Sequence, residues 1–147
     1  MAANKKVEIR YLTSIKNGMA EFYTPQKSDE TMLVQVAAGA IDDLFVHHFQ
    51  TDQLLVVRGS FVLVVLCDRK YQYIPLSEYH PAVVTIPPNV PHAAINLSDQ
   101  PCVMVNAVLR HGAPYPKDYQ PHRHPFPYDL DAARNAIANL ELPLIAS

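Results

Sequence analysis

Three histidines have the residue type and the surroundings for proton transfer or metal binding. Two of them, His47 and His48, are adjacent at the end of the apolar run LFVHHFQ, residues 44–50. Neighbouring side chains of a strand point to opposite faces, so one histidine can enter a cavity while the other packs between sheets or subunits. His48 continues an apolar stripe that ends at Gln50, which is typical of a pocket mouth. Alternation therefore favours His48 as the inward residue.

The third histidine, His92, follows a rigid turn in the segment TIPPNVPHAAIN. Three prolines and an asparagine fix how the next strand begins. Alternation along that strand puts His92, Ala94 and Asn96 on one face, and the small Ala94 leaves room for a ligand. The alternative is that His92 only hydrogen-bonds the carbonyls of the turn. We expect His92 and Asn96 to open onto the same interior as His48 and Gln50.

Short segments rich in Val, Leu, Ile and Tyr must position these histidines. Turn sequences separate them, which indicates an antiparallel sandwich or barrel. The run FVLVVLC is apolar on both faces, so we expect the core to cover one face and a second sheet or a partner subunit to cover the other. The predicted strands are residues 31–40, 43–50, 53–59, 60–68, 70–76, 81–87, 92–97 and 102–109.

The chain changes character after residue 110. Residues 111–128 hold five of the 13 prolines, which predicts an irregular strap because proline lacks the donor that a central strand needs. Residues 129–142 read as a helix capped by Asp129 or Asp131, with an apolar face of Leu130, Ala133, Ile137 and Leu140. We expect one domain over residues 1–147, with a barrel core of about residues 30–110.

Composition excludes several classes of protein. The net charge is −2 without a basic block, which argues against binding to nucleic acid. Apolar runs fall short of the roughly 20 residues of a membrane helix, and the amino-terminal segment lacks the apolar stretch of a signal peptide. Cys67 and Cys102 lie in apolar runs and suit reduced, buried thiols. We therefore expect a cytoplasmic protein with a small-molecule partner.

The spacing of Pro87, Asn89, His92 and Asn96 resembles the second motif of the cupin superfamily, with asparagine in the glycine position. The resemblance covers about residues 30–110 and implies a jelly-roll barrel. Metal-binding cupins hold zinc or iron, which need three or four converging ligands. In this sequence His48, Asp52 and His92 could form such a set, with Gln50 or Gln53 as alternatives to Asp52.

The segments HHFQ, VVRGSF, LSE and IPPNVPHAAINLSD are similar to those of the dTDP-4-dehydrorhamnose 3,5-epimerases and related nucleotide-sugar ketoisomerases. That resemblance implies a dimer, no metal, and a catalytic base at His48. The sequence departs from the family in two places, with Val105 and Asn106 where the family has its tyrosine acid and Phe45 where it has an arginine. Tyr115, Tyr119 or Tyr128 of the strap could supply an acid instead.

The most direct functional interpretation is an epimerase or isomerase acting on a 4-keto-6-deoxy nucleotide sugar. A proton next to a keto group is weakly acidic, and imidazole with a pKa of about 6.5 can remove it at neutral pH. His48 is then the base and Gln50, His92 and Asn96 bind substrate, without a cofactor. The alternatives are a metal-dependent dioxygenase, isomerase or cyclase and a non-catalytic binding protein.

Overall fold

The computed structural model describes residues 6–16 and 18–141. Ten strands precede one carboxy-terminal helix in these residues, and every strand pairing is antiparallel. The elements are β1 Glu8–Tyr11, β2 Ser14–Lys16, β3 Phe22–Tyr23, β4 Glu30–Val36, β5 Gln50–Arg58, β6 Ser60–Cys67, β7 Lys70–Ser77, β8 Ala82–Ile86, β9 His92–Ile95, β10 Cys102–Arg110 and α1 Leu130–Glu141. The predicted all-β architecture with a short terminal helix is confirmed.

Two sheets face each other across the core. One has five strands in the order β1-β8-β5-β10-β4, and the other has three in the order β7-β6-β9, while β2 and β3 form a separate pair. Alternate residues of each strand point between the sheets, so Leu54, Leu63, Val84 and Met104 share one buried cluster. Burial of such aliphatic side chains, at about 25 cal/mol per Å² of apolar surface, is the main stabilising term.

Strand β6 is buried on both faces, as its unbroken apolar sequence predicts. Phe61, Leu63 and Val65 face the five-stranded sheet, whereas Val62 and Val64 pack in a second cluster with Ala133 of α1. The second cover is therefore the helix and the strap, and not the second sheet or the partner subunit that we expected. Strand β6 therefore packs against the five-stranded sheet on one face and against α1 on the other.

Helix α1 begins where Asp129 caps it. The Asp129 Oδ1 atom accepts the backbone N–H of Ala132 at 3.0 Å, which satisfies a donor that the first turn leaves free. Asp131 instead pairs with Arg134 on the exposed surface. The predicted end of the helix at residue 142 lies outside the described residues, as do residues 1–5, 17 and 143–147 of the predicted domain.

In the described part of the chain, no helix is long and apolar enough to cross a membrane.

The predicted strand over residues 43–50 is wrong. Leu44 and Phe45 form isolated bridges, to His122 and His92 respectively, and the chain bends at His48 and Phe49 before β5 begins at Gln50. Alternation of side chains holds along a regular strand and not across a bend. The alternation of inward and outward side chains along β5 therefore does not extend back to His47 and His48.

The proline-rich segment 111–128, which we call the strap, is irregular apart from the bridge between His122 and Leu44. Its far end is held on the three-stranded sheet, where the Tyr71 hydroxyl donates to the Phe126 carbonyl at 2.7 Å and the rings lie 4.3 Å apart. Tyr128 donates to the Asp42 carbonyl at 2.8 Å. These contacts hold the strap beside the segment that carries His47 and His48.

Candidate active site

A cavity of about 300 Å³ opens between the two sheets. Its walls are largely apolar, which is usual for a small-molecule site, and strands β4, β5, β6, β9 and β10 contribute to them. Seven polar side chains interrupt these walls: Gln35, Asp42, His47, Asp52, His92, Asn106 and Tyr119. Polar groups in such surroundings fix the orientation of a ligand.

His47 and His92 converge on one carboxylate oxygen. Their Nε2 atoms lie 3.2 Å and 3.3 Å from Asp52 Oδ2, and their ring centroids are 5.0 Å apart. All three residues are buried. Two imidazoles and one carboxylate inside the fold form a compact group that can hold or move a proton, or bind a cation.

Backbone hydrogen bonds hold the two histidines in register. The backbones of Phe45 and His92 exchange N–H to carbonyl bonds of 2.8 Å and 2.9 Å, and Asn89 N–H donates to the His47 carbonyl at 2.7 Å. Asn89 has a φ of 66°, a left-handed conformation that asparagine tolerates better than most residues. This agrees with its place in the glycine position of the motif.

The hydrogen bonds define the tautomer of His92. Its Nδ1 lies 2.9 Å from the Val90 carbonyl, which only accepts, so Nδ1 carries a hydrogen. In a neutral ring, Nε2 would then turn a lone pair towards Asp52 Oδ2. A second proton on Nε2, or a metal ion between the two atoms, makes this contact attractive.

His47 has one ring nitrogen without a partner. Its Nε2 faces Asp52, but its buried Nδ1 has no hydrogen-bond partner among the residues that the structure describes. A buried polar atom without a partner is costly, and such atoms often mark a site for a ligand. Nδ1 of His47 is therefore a candidate for contact with a bound molecule.

Asp52 is held as a carboxylate by donors on both oxygens. Gln50 Nε2 and Asn106 Nδ2 donate to Oδ1 at 2.6 Å and 2.9 Å, while the histidines approach Oδ2. Burial alone raises the pKa of the Asp52 carboxyl, but hydrogen bonds and charge interactions with His47 and His92 outweigh burial and leave the pKa well below its usual value. The site thus contains a permanent buried anion at neutral pH.

The predicted inward position of His48 is wrong, because His47 occupies it. His48 turns away at the bend, its side chain is 40% exposed, and its Nδ1 contacts Asp118 Oδ1 at 2.9 Å. Burial raises the pKa of Asp118, but hydrogen bonds from His48 and from the Tyr115 backbone lower it more. The predicted metal set of His48, Asp52 and His92 is corrected in the same way, with His47 in place of His48.

The predicted substrate-binding residues fall in different places. His92 lines the cavity as expected, whereas Gln50 is buried behind it, between Asp52 and Arg110. Asn96 lies beyond the end of β9, beside a separate cavity next to α1, so its predicted place beside His92 is wrong. Its amide binds the Val36 and Gln100 carbonyls and accepts from Ser98, which is a structural role.

Of the polar groups that contact Asp52 or His47, sequence reasoning missed two and left a third undecided. Asn106 alternates with Met104 and Val108 on the buried face of β10, so the period of that strand already indicated an inward side chain. His47 was assigned to the opposite side. Tyr119 was one of three candidate tyrosines, and it alone of these lines the cavity, where its ring lies 5.1 Å from that of His47.

The cluster fits a metal ion as well as a proton. His47, Asp52 and His92 each offer one ligand atom, and these atoms lie within 4.8 Å of one another. Imidazole nitrogen and carboxylate oxygen are normal ligands for zinc and iron. Three protein ligands would leave positions for water or substrate.

A scan against protein-family models finds no match, and a search of curated proteins finds no similar sequence. Solved structures with a similar fold include the TDP-quinovose 3,4-ketoisomerase from Campylobacter jejuni, with a TM-score of 0.65, 12% identity and coverage of 90% of this chain and 100% of that chain. A mutant of the 3,4-ketoisomerase from Thermoanaerobacterium thermosaccharolyticum, in complex with TDP-4-keto-6-deoxyglucose, gives 0.61 and 13%, with coverage of 93% and 97%.

The dTDP-4-dehydrorhamnose 3,5-epimerase from Elizabethkingia anophelis NUHP1 is also similar, with a TM-score of 0.61, 15% identity and coverage of 77% of this chain and 74% of that chain. These likenesses show that the chain has the jelly-roll fold of sugar ketoisomerases and epimerases, as the sequence motifs implied.

Proposed function

We propose that this protein is an isomerase that moves a proton between adjacent carbons of a 4-keto-6-deoxy sugar carried on a nucleoside diphosphate. The observation that carries the proposal is the buried cluster of His47, Asp52 and His92 in the wall of a cavity of about 300 Å³. The fold supports the choice of substrate class, because the similar solved structures bear the names of sugar ketoisomerases and epimerases.

His47 is the base in this proposal and replaces His48 in that role. When Nε2–H of His47 is donated to Asp52 Oδ2, Nδ1 keeps its lone pair, and this nitrogen has no hydrogen-bond partner among the described residues. The Asp52 carboxylate holds the tautomer and stabilises the imidazolium that forms. Neutral imidazole is well matched to proton abstraction near neutral pH.

The reaction balances without a co-reactant. The lone pair on Nδ1 takes the proton from the carbon beside the carbonyl, the C–H electrons form a carbon–carbon double bond, and the carbonyl electrons move onto oxygen. The hydroxyl proton on the adjacent carbon then passes to this oxygen within the enediolate. The electrons of the new oxyanion form a carbonyl at that carbon, and the double-bond electrons take the proton back from His47 at the former carbonyl carbon, so the carbonyl has moved by one carbon.

A metal-dependent reaction in the same cavity is the second candidate. It is favoured by the His92 contact, because a cation would relieve the approach of Nε2 to Asp52 Oδ2 at 3.3 Å. Donation of Nδ1–H to a backbone carbonyl, as His92 makes to Val90, is also typical of a metal-binding histidine. His47, Asp52 and His92 would hold the ion, and a bound zinc or iron would supply a Lewis acid for the carbonyl.

Exchange with solvent deuterium separates these candidates. The protein is incubated with TDP-4-keto-6-deoxyglucose in D2O and followed by proton NMR, with and without EDTA. We expect loss of the signal next to the carbonyl and formation of the 3-keto sugar, with no effect of EDTA. Activity that EDTA abolishes and zinc or iron(II) restores would favour the second candidate.

A wild-type protein that gives no exchange and no product would refute the isomerase. If the nucleotide sugar then still raises the thermal unfolding midpoint, a non-catalytic binding protein remains. The homodimer, the cytoplasmic location and the single domain over residues 1–147 stay predictions. Analytical ultracentrifugation, cell fractionation and limited proteolysis test them in turn.

A further inference from the structure

Behind the cavity, a chain of hydrogen bonds runs from the surface to Asp52. Arg110 pairs with Glu30 through Nε at 2.9 Å and donates from Nη1 to Gln50 Oε1 at 2.6 Å. Gln50 is almost fully buried, and its Nε2 donates to Asp52 Oδ1 at 2.6 Å. The proposed reaction has no role yet for Arg110 or Gln50.

The direction of these bonds is forced by the chemistry of arginine. A guanidinium group only donates, so the Gln50 amide must turn its oxygen to Arg110 and its NH₂ to Asp52. The Tyr119 hydroxyl also donates to this oxygen, at 3.0 Å. A buried amide that met Asp52 with its oxygen would place two acceptors in contact, which is unfavourable.

Asn106 is oriented in the same way by a backbone group. The backbone N–H of Gln53 donates to Asn106 Oδ1 at 3.0 Å, so Asn106 Nδ2 faces Asp52 Oδ1 at 2.9 Å. Two amides, each oriented by a fixed donor, thereby occupy Oδ1. Oδ2 is the oxygen that is left for His47 and His92.

We propose that Arg110 and Gln50 are positioning residues of the site: Arg110 fixes the amide of Gln50, and Gln50 with Asn106 aims Asp52 Oδ2 at the two histidines. The consequence is a defined tautomer of His47, with the hydrogen on Nε2 and the lone pair on Nδ1. This role rests on the proposed function where it concerns catalysis, but the tautomer itself does not depend on any activity. Gln50 is thus assigned a role behind the site and not the substrate contact that its sequence position predicts.

A purely structural role is the competing explanation. Arg110 and Glu30 join the edge strand β4 to β10, and this pair could simply stabilise the sheet. Surface ion pairs of this kind contribute little to stability, because water and salt screen them. A structural role would change stability without changing the hydrogen positions on His47.

The first test is Gln50→Glu, which keeps an acceptor for Arg110 but presents an oxygen where the amide presented N–H. Arg110→Met removes the fixed donor, and Arg110→Lys restores one. The matched controls are Gln72→Glu, an exposed position on β7, and Arg134→Met on α1. Long-range ¹⁵N–¹H NMR of the histidine rings reports which nitrogen of His47 carries the hydrogen, and kcat and KM are measured beside it.

We expect a single His47 tautomer with hydrogen on Nε2 in the wild type, in both controls and in Arg110→Lys. In Gln50→Glu and Arg110→Met we expect mixed tautomers, with kcat at least tenfold lower and KM within about twofold, because positioning acts on the chemical step and not on binding. Folded variants whose His47 spectrum matches the wild type would overturn the proposal. If Arg110→Met does not fold, Gln50→Glu decides the question alone.

The two proposals can fail separately. Mixed tautomers in the variants of a protein that shows no deuterium exchange would support the positioning role and refute the isomerase. Exchange in the wild type with an unchanged His47 spectrum in both variants would support the isomerase and refute the positioning role.

Discussion

Replacing Asp52 with asparagine reverses the hydrogen-bond pattern of the site without changing its shape. Gln50 and Asn106 donate to Oδ1, so the amide oxygen of the variant must take that position. Its NH₂ then occupies the Oδ2 position and donates to Nε2 of His47 and His92. Because Nε2 of His47 then accepts, its hydrogen must move to Nδ1, and the lone pair needed for proton abstraction is lost.

The loss of activity is expected to be larger than the loss of stability. General base catalysis contributes roughly 10²–10⁴-fold, or about 3–5 kcal/mol of the barrier, so we expect Asp52→Asn to lose activity by that factor. Stability changes less, since the hydrogen bonds that Gln50 and Asn106 donate to Oδ1 change from charge-assisted to neutral ones, at a cost of about 1 kcal/mol each. A loss of about 2 kcal/mol corresponds to roughly 4–8 °C in the unfolding midpoint of a chain of this length.

Solvent deuterium incorporation into TDP-4-keto-6-deoxyglucose measures the first effect, and thermal unfolding followed by circular dichroism measures the second. Asp118→Asn is the control, because it also neutralises a buried carboxylate beside a histidine but lies at the His48 contact. Asp52→Asn protein that is folded and exchanges deuterium within threefold of the wild type would refute the assignment of the base.

Three further stability predictions concern acid unfolding and two positions with a positive φ. Asp52 and Asp118 have a pKa below the ordinary value in the folded state, so the unfolded chain binds more protons near pH 4. Their contribution is complete above about pH 5 and is lost as pH falls towards their folded pKa, and Asp118→Asn should make acid unfolding, followed by fluorescence, less steep. Asn89→Ala should lower the free energy of unfolding by about 1 kcal/mol while Asn89→Gly changes it little, because φ is 66°; equal denaturant midpoints for the two variants would contradict this. Gly59→Ala should lower the free energy of unfolding by more than Asn89→Ala does. Its φ is 82°, and a Cβ there would lie 2.8 Å from the Pro101 carbonyl oxygen.

Local sequence patterns predicted α1 and the strands from β4 to β10, but they missed β1, β2 and β3 and placed over residues 43–50 a strand that does not form. The apolar run that forms β6 and the alternating residues of β10 carry their structure in their own composition. Asp129 supplied a local capping signal for α1. These elements are specified by residues that are close together in the sequence, so the sequence alone is enough to identify them.

The site was harder to predict because its key contacts span long stretches of chain. The order of His47 and His48 depends on a bend, and the pairing of Phe45 with His92 that holds it joins residues far apart in sequence. Asp118 and Tyr119 are neighbours in the strap, yet one contacts His48 outside the cavity and the other lines its wall. Composition predicted that the strap is irregular, but it did not indicate that Asp118 and Tyr119 would lie in different surroundings.

The most direct test of the central claim compares two adjacent substitutions, His47→Gln and His48→Gln. Deuterium incorporation into TDP-4-keto-6-deoxyglucose is measured for each folded variant at neutral pH. We expect His47→Gln to lose about 100-fold or more, because it removes the buried base, and His48→Gln to stay within about fivefold of the wild type. The reverse order would contradict the account and return the base to His48.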